Sequence, residues 1–523
     1  MPIATMLRPI LLSAVATLAF AAPQLQAQGQ NPNEVSAVTI PPQQIEDAIA
    51  ALDGIVTNVM AETGVPGMAV AVVHDDKLVY AKGFGVKQVG GDDPIDENTV
   101  FQIASISKSV GATAIATIVD GENFSWNDRV VDYYPNFALA DPYVTENVTI
   151  GDLYSHRSGL PPHAGDLLED LGYNREEVIE RLRYLPLTPF RDSYFYTNFG
   201  MTAGGVAAAN SVNMTWEDFS EKQLYAPLGM DSTSSRYSDF MTEPNKALGN
   251  QLQPDGTWAP TIKQRKPDAQ SPAGGVSSSA ADMAKWMRML LNNGTFEGKE
   301  IISETALVET LTPQYTSSPA RTITGRPGFY THGFDMQIDG AGRTRYTHSG
   351  GFLLGTATNV QLLPSEKLGI IALSNGTPVG APETVNATFM ELVQTGETKI
   401  EWLAGYGRLF AAMLDNPSVL DGKEPPANPT PAPAADTLTG QYASDYFGDL
   451  EIVATGDGVA ARLGPNQTAY PLIHWDGNEF AWEATGENGL GLSQVTFVMG
   501  PDGQAKSVTF ESLDENGLGT FKR

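Results

Sequence analysis

Phe101-Gln102-Ile103-Ala104-Ser105-Ile106-Ser107-Lys108 is the stretch on which the reading of this chain turns. Apolar residues lead into Ser105, and Ser107 to Val119 then reads as a helix closed by Gly121. If Ser105 opens that helix, Lys108 lies one turn on and on the same face. The helix N-terminus also favours developing negative charge. A lysine acts as a base only when its pKa falls, and burial is the usual means. A capping serine beside a solvated lysine would show the same local pattern, so the weight falls on the rest of the chain.

Two further motifs follow in order. Tyr196-Thr197-Asn198 lies in the aromatic run Tyr194-Phe195-Tyr196-Thr197-Asn198-Phe199-Gly200, and His348-Ser349-Gly350-Gly351 opens a strand signal. A phenol in so aromatic a stretch would pack in a core if it stood alone. Beside a positive Lys108, however, Tyr196 would lose its proton more readily and relay it, and Asn198 could present its amide to a substrate carbonyl. Consecutive glycines let a substrate approach the backbone, so the N–H groups of Ser105 and Gly351 could form an oxyanion hole. Together these residues supply the inventory for covalent acyl transfer without a catalytic aspartate or a metal.

Competing chemistries find less support. There is no G-x-S-x-G elbow and no H-E-x-x-H. The six histidines are dispersed, and His156 and His163 share a loop without an evident third ligand. Neither a metal nor a cofactor is expected. A formal net charge of −29 would repel phosphate backbones and anionic headgroups, so nucleic acid and membrane surfaces are not expected partners. Cysteine is absent, which removes disulfides and thiolate sites.

At 523 residues the chain calls for two or three domains. Residues 1–22 read as a secretory signal peptide, with Arg8, an apolar stretch from Ile10 to Phe20 and Ala19-Phe20-Ala21 as a cleavage pattern. The expectation is a periplasmic or secreted protein, with no membrane insertion once the leader is removed. A polar arm at 23–44 follows. Ile45, Ile49, Leu52, Val56 and Val59 then predict a helix ending near Gly64. Met68–Val73 and Leu78–Ala81 around Asp75-Asp76-Lys77 predict a hairpin. Later signals are a helix over Ala281–Leu291, strands at Arg345–Thr347, Gly355–Leu363 and Leu368–Ser374, and a helix at Ile400–Leu414. The class is α+β: terminal helices on a sheet assembled from both ends of the segment, with a helical insertion between. Residues 421–437, with five prolines, read as a semi-rigid linker between a hydrolase domain at 45–420 and a small all-β domain at 438–523.

The three motifs resemble those of the serine β-lactamase and penicillin-binding protein superfamily, with its peptidases and esterases. Ser155-His156-Arg157-Ser158-Gly159-Leu160-Pro161, Ala226-Pro227-Leu228-Gly229-Met230 and Ser271-Pro272-Ala273-Gly274-Gly275-Val276-Ser277-Ser278 extend the likeness over about residues 45–415. The motif separations suit the class C-like branch. The resemblance implies a β-lactamase/transpeptidase-like α/β sandwich with a helical domain, the site lying between them. It implies Ser105 as acylated nucleophile, Lys108 and Tyr196 as general-base pair, and Asn198, Gly350 and Gly351 as substrate-binding residues. His348, expected as the fourth catalytic residue, stands where a β-lactamase has the lysine that binds the β-lactam carboxylate, a pattern similar to D-aminopeptidases and esterases. The C-terminal region resembles the lipocalin-like domains appended to some of these hydrolases. The expectation is therefore an exported serine hydrolase cleaving a small peptide amide. The alternatives are a carboxylesterase or weak β-lactamase of the same fold, and a non-catalytic penicillin-binding-protein-like binder.

Overall fold

The structure, a computed structural model, describes residues 36, 38–484 and 486–523. The expected signal peptide at 1–22 and most of the polar arm lie outside the described residues. Helix α1 runs from Pro42 to Thr63 and buries Ile45, Ala48, Leu52, Val56 and Val59. Proline at its start suits the first helical turn, and Gly64, at φ 68°, turns its N–H back onto the Met60 carbonyl. Strands β1 (Gly67–His74) and β2 (Lys77–Gly85) form the expected hairpin. Its two turn residues, Asp75 and Asp76, both take positive φ, at 48° and 58°, a conformation aspartate tolerates.

These strands join six from the far end of the segment: β3 (Tyr315–Ser318), β4 (Gly328–Tyr330), β5 (Asp335–Ile338), β6 (Thr344–Phe352), β7 (Thr356–Leu363) and β8 (Leu368–Ser374). The sheet order is β2-β1-β8-β7-β6-β5-β4-β3, antiparallel throughout. Strand β1 has apolar neighbours on both faces, which explains its unbroken apolar run. Met68, Val70 and Val72 join α1 and Phe389 in one core, while Ala69, Ala71 and Val73 join Ile106, Val110 and Trp286 in the other. The first face is covered by α1 and by a helix at Ala381–Thr395, the second by helices at Ile106–Ala116 and Ala280–Leu291. The helical insertion between β2 and β3 supplies the other wall of the site.

Several expected elements differ at their ends. The helix after Ser105 stops at Ala116, short of Val119, with the chain continuing through turns to Gly121. The strand expected at Arg345–Thr347 runs on through the glycine pair to Phe352, so His348 lies within it and not at its start. The reason is the partner strand: β7 pairs with β6 from Tyr346 to Phe352, giving even the glycines a ladder. The helix at Ala381–Thr395 had no counterpart in the sequence reading.

The C-terminal region closes into an eight-stranded antiparallel barrel. Its strands begin at Gly440 and end at Lys522, closed by pairing of Ala443 with Lys522. Tyr442, Leu450, Ile452, Phe480, Trp482, Phe497 and Phe510 are among its buried residues, at the alternating positions the sequence displayed. Among the described residues, no helix is long and apolar enough to cross a membrane.

Candidate active site

Ala104 holds φ at 46°, a left-handed conformation an alanine rarely accepts. That turn sets Ser105 at the head of the helix Ile106–Ala116, partly exposed while Ile106 to Lys108 are buried. The Ser105 side chain makes no capping hydrogen bond, so the capping-serine reading of the motif fails. Its hydroxyl instead meets Lys108 Nζ at 3.0 Å. Among the described residues the Ser105 N–H has no acceptor, as expected for the first turn of a helix.

Lys108 is fully buried. Its ammonium has three donors, and three oxygens surround it: Ser105 Oγ at 3.0 Å, Asn198 Oδ1 at 2.7 Å and the Ala273 carbonyl at 2.9 Å. None is a carboxylate, so burial dominates and pushes the Lys108 pKa down to about 7, with Asp166 pulling it up. The Ser271–Ser278 motif thereby gains a physical role. Ala273 supplies a carbonyl to the lysine, and the Val276 N–H donates to Ser107 Oγ at 3.0 Å, tying this segment to the helix.

Tyr196 lies in the loop before the helix Asn198–Ser211, and Lys108 Nζ stands 4.6 Å from its ring centre. Burial pushes its phenol well above the ordinary value, while a hydrogen bond with Ser105 acts in the opposite direction. Tyr196 therefore stays a protonated phenol near neutral pH. Asn198 uses both ends of its amide within the protein, Oδ1 on Lys108 and Nδ2 on Asp166 at 2.9 Å. The expectation that this amide points at a substrate carbonyl must be set against those two bonds.

His348 belongs to the sheet wall. Its Nε2 lies 3.0 Å from the Tyr330 hydroxyl and its Nδ1 2.7 Å from the Ser349 carbonyl. A carbonyl only accepts, so Nδ1 carries the proton and Nε2 accepts from the phenol. Burial, then the nearby Lys108, push its pKa down to about 3, which leaves a neutral imidazole. Its ring centre is 6.4 Å from that of Tyr196. The structure thus brings Ser105, Lys108, Tyr196 and Asn198 into one cluster, with His348 alongside and bonded elsewhere.

The glycines behave differently from each other. A Cβ on Gly350 would fall 2.4 Å from the Ile103 carbonyl oxygen and 2.9 Å from Ser105 N, so only glycine lets the strand approach the nucleophile's backbone. Gly351 is exposed and alternates to the other face, where a Cβ would meet Pro378. Strand β5 pairs with β6 only over Thr344–Thr347, so from His348 to Phe352 that edge has no strand partner among the described residues.

Sequence reading missed three neighbours. His156, in the quoted Ser155–Pro161 motif, sits with its ring centre 4.5 Å from Tyr196 and its Nδ1 accepting from the Thr197 N–H at 3.2 Å. That motif was its signal. His163 lies apart from it, 3.2 Å from Asp166. Tyr330 and Asp166 stand in no motif, and only the fold brings them in.

With this geometry in place, comparison with known proteins gives the class. Residues 52–395 match the Beta-lactamase family, and the chain belongs to it. Residues 424–519 match a domain of unknown function, DUF3471. The unguisins hydrolase ungD of Aspergillus violaceofuscus is 25% identical over 88% of this chain and 87% of its own. Penicillin-binding protein 4 of Amycolatopsis lactamdurans is 28% identical over 60% of this chain and 82% of its own. Beta-lactamase-like protein 2 of Dictyostelium discoideum is 29% identical, with 59% of its length spanned. Among solved structures, the octameric penicillin-binding protein homologue from Pyrococcus abyssi superposes with a TM-score of 0.60 and 21% identity, covering 91% of this chain and all of the other. That last likeness speaks for the fold alone.

Proposed function

We propose that this chain is an exported serine hydrolase that works through an acyl-enzyme and cleaves a small peptide amide. The observation that carries the reading is the contact of Ser105 Oγ with a buried Lys108 Nζ whose pKa is pushed down to about 7. Such an amine is partly neutral at physiological pH and can accept the hydroxyl proton, which a solvated lysine cannot. As Ser105 Oγ bonds to the carbonyl carbon, its proton passes to Lys108 Nζ. The oxyanion is held by the N–H of Ser105 and the backbone at Gly351. Collapse breaks the C–N bond, and the nitrogen takes a proton relayed through the Tyr196 hydroxyl. Water then repeats the sequence against the ester, restoring Ser105.

A β-lactam is the weaker candidate. The position that would supply a cation for its carboxylate holds a neutral His348 with both nitrogens engaged. An ester would use the same machinery, so substrate class is settled by kinetics. Intact-mass labelling with a fluorophosphonate tests the nucleophile: one adduct is expected, absent from Ser105→Ala. Comparison of kcat/KM on amino-acid p-nitroanilides, p-nitrophenyl esters and nitrocefin tests the rest. Turnover confined to the esters would overturn the peptidase reading.

A further inference from the structure

Asp166 is 4% exposed and belongs to no motif, yet it stands one residue behind the candidate base. Its Oδ2 accepts from Asn198 Nδ2 at 2.9 Å and faces His163 Nδ1 at 3.2 Å. Its Oδ1 is closed off from solvent without a partner. An amide has one accepting and one donating end, whereas a carboxylate only accepts. Pinning Nδ2 on Asp166 therefore leaves Oδ1 as the end that meets Lys108 Nζ at 2.7 Å. Were Asn198 flipped, an N–H would face the lysine and a carbonyl would face the carboxylate, and both contacts would be lost.

We propose that Asp166 is a positioning residue for acyl transfer: through Asn198 it fixes the Lys108 amine on Ser105, and it places a negative charge behind that amine. The proposal rests on Ser105 being the nucleophile. A buried carboxylate oxygen left without a donor is costly. Here it keeps the negative charge undiluted and close to Lys108, whose protonated form it favours.

The fold holds Asp166 from two sides. Gly165 takes φ 94°, and a Cβ there would lie 2.7 Å from both Phe199 and Val178, so the turn is pressed between the helical elements. Its N–H donates to the Tyr446 hydroxyl of the barrel at 3.0 Å. The titratable groups around Asp166 are Lys108 from the nucleophile helix, Tyr196 from the loop before the helix Asn198–Ser211, His163 from its own loop, and Tyr446 and Glu515 from the barrel. Lys108 and a protonated His163 are the positive ones, and Glu515 adds to the negative charge.

The test is the pH dependence of the second-order rate of fluorophosphonate labelling in the full chain, which needs no identified substrate. In the parent protein the rate rises with pH through about 7 as Lys108 loses its proton. In Asp166→Asn the plateau is expected to fall roughly tenfold, from lost alignment. The midpoint is expected to move down by roughly one pH unit, because an opposite charge has been removed from the ammonium. Asp166→Glu restores the midpoint. A merely structural residue would lower the plateau and leave the midpoint in place, and that outcome overturns the proposal. Should Asp166→Asn not fold, Asp166→Ser is read in the same way. A parent protein that takes no label overturns the reading of Ser105 and this proposal with it. A labelled parent whose Asp166→Asn variant follows an unchanged curve overturns this proposal alone.

Discussion

The two walls that meet at Ser105 handle charge in opposite ways. On the helical wall Lys108, Asn198 and Asp166 form a line from base to carboxylate, each linked by a hydrogen bond of 2.9 Å or less. On the sheet wall His348 and Tyr330 are packed rings, met by the His156 ring from the helical side. Burial drives His348 down to about 3, His156 well below its ordinary value and the Tyr330 phenol well above its own, so all three are held neutral. Among the described residues, then, it is the helical wall that keeps a group able to change charge near neutral pH in contact with the Ser105 hydroxyl. The sheet wall contributes shape and a strand edge. A cluster rich in histidine and tyrosine need not be where the proton goes.

The hardest test of that division is to remove each wall's principal residue and compare. Ser105→Ala should lower turnover by more than about a thousandfold, since it removes the bond-forming atom itself. Lys108→Met, which keeps the length and apolar stem of the side chain, should cost about a hundredfold or more, the usual worth of a positioned base. In the parent protein log kcat/KM should rise with pH and level off above about 7, because Lys108 must be neutral to accept a proton. That limb should vanish in Lys108→Met. A limb that persists there would place the base elsewhere and break the comparison.

His348→Phe should cost less than roughly tenfold in kcat/KM and leave the limb where it was, because the imidazole neither titrates in that range nor bonds Ser105. Its signature should appear in stability. The folded pKa of about 3 lies below the unfolded 6.5, so the folded state binds fewer protons between those values. Stability from this group is complete above 6.5 and is lost as pH falls toward 3. Thermal melts from pH 7 to pH 4 should therefore show a shallower loss in His348→Phe than in the parent. A change in kcat/KM as large as that of Lys108→Met would return His348 to the proton path.

The helical wall was the more legible of the two in the sequence. Ser105 and Lys108 are three residues apart, so helical geometry alone puts them together, and the motif flanks carried Tyr196 and Asn198. The terminal helix, the hairpin and the barrel strands were readable because their periods of 3.6 and 2 stand in the residues. What could not be read depends on tertiary closure. Tyr330 reaches His348 only because β4 and β6 flank β5, and Asp166 reaches Asn198 only because the Gly165 turn folds back. The sequence offered Lys108 and Tyr196 as a general-base pair, with Tyr196 able to relay a proton. Desolvation lowers the amine and raises the phenol, which supports the proposed division between base and relay.

The barrel touches both walls, and the smallest expected effects lie there. Tyr446 takes the Gly165 N–H on the helical side, while on the sheet side Glu487 accepts from the N–H groups of Leu353 and Leu354, just beyond the β6 glycines. Glu487 lies half-buried beside Asp170 and Arg265, and its loss of solvent raises its pKa to about 8 despite the arginine. A carboxyl raised above its unfolded 4.5 binds more protons folded than unfolded, so its contribution is complete below 4.5 and is lost as pH rises through about 8. Glu487→Gln keeps an accepting oxygen and cannot ionise. The parent should therefore lose Tm relative to this variant between pH 5 and pH 9, with kcat/KM changed less than in His348→Phe. Tyr446→Phe leaves a buried N–H unpaired and should cost about 1–3 kcal/mol without that pH trend. If the Glu487→Gln difference is flat with pH, the sheet-side contact is an ordinary capping bond. If it also moves the kcat/KM limb, then charge on the barrel reaches Lys108 across the cleft and the two walls are electrostatically one.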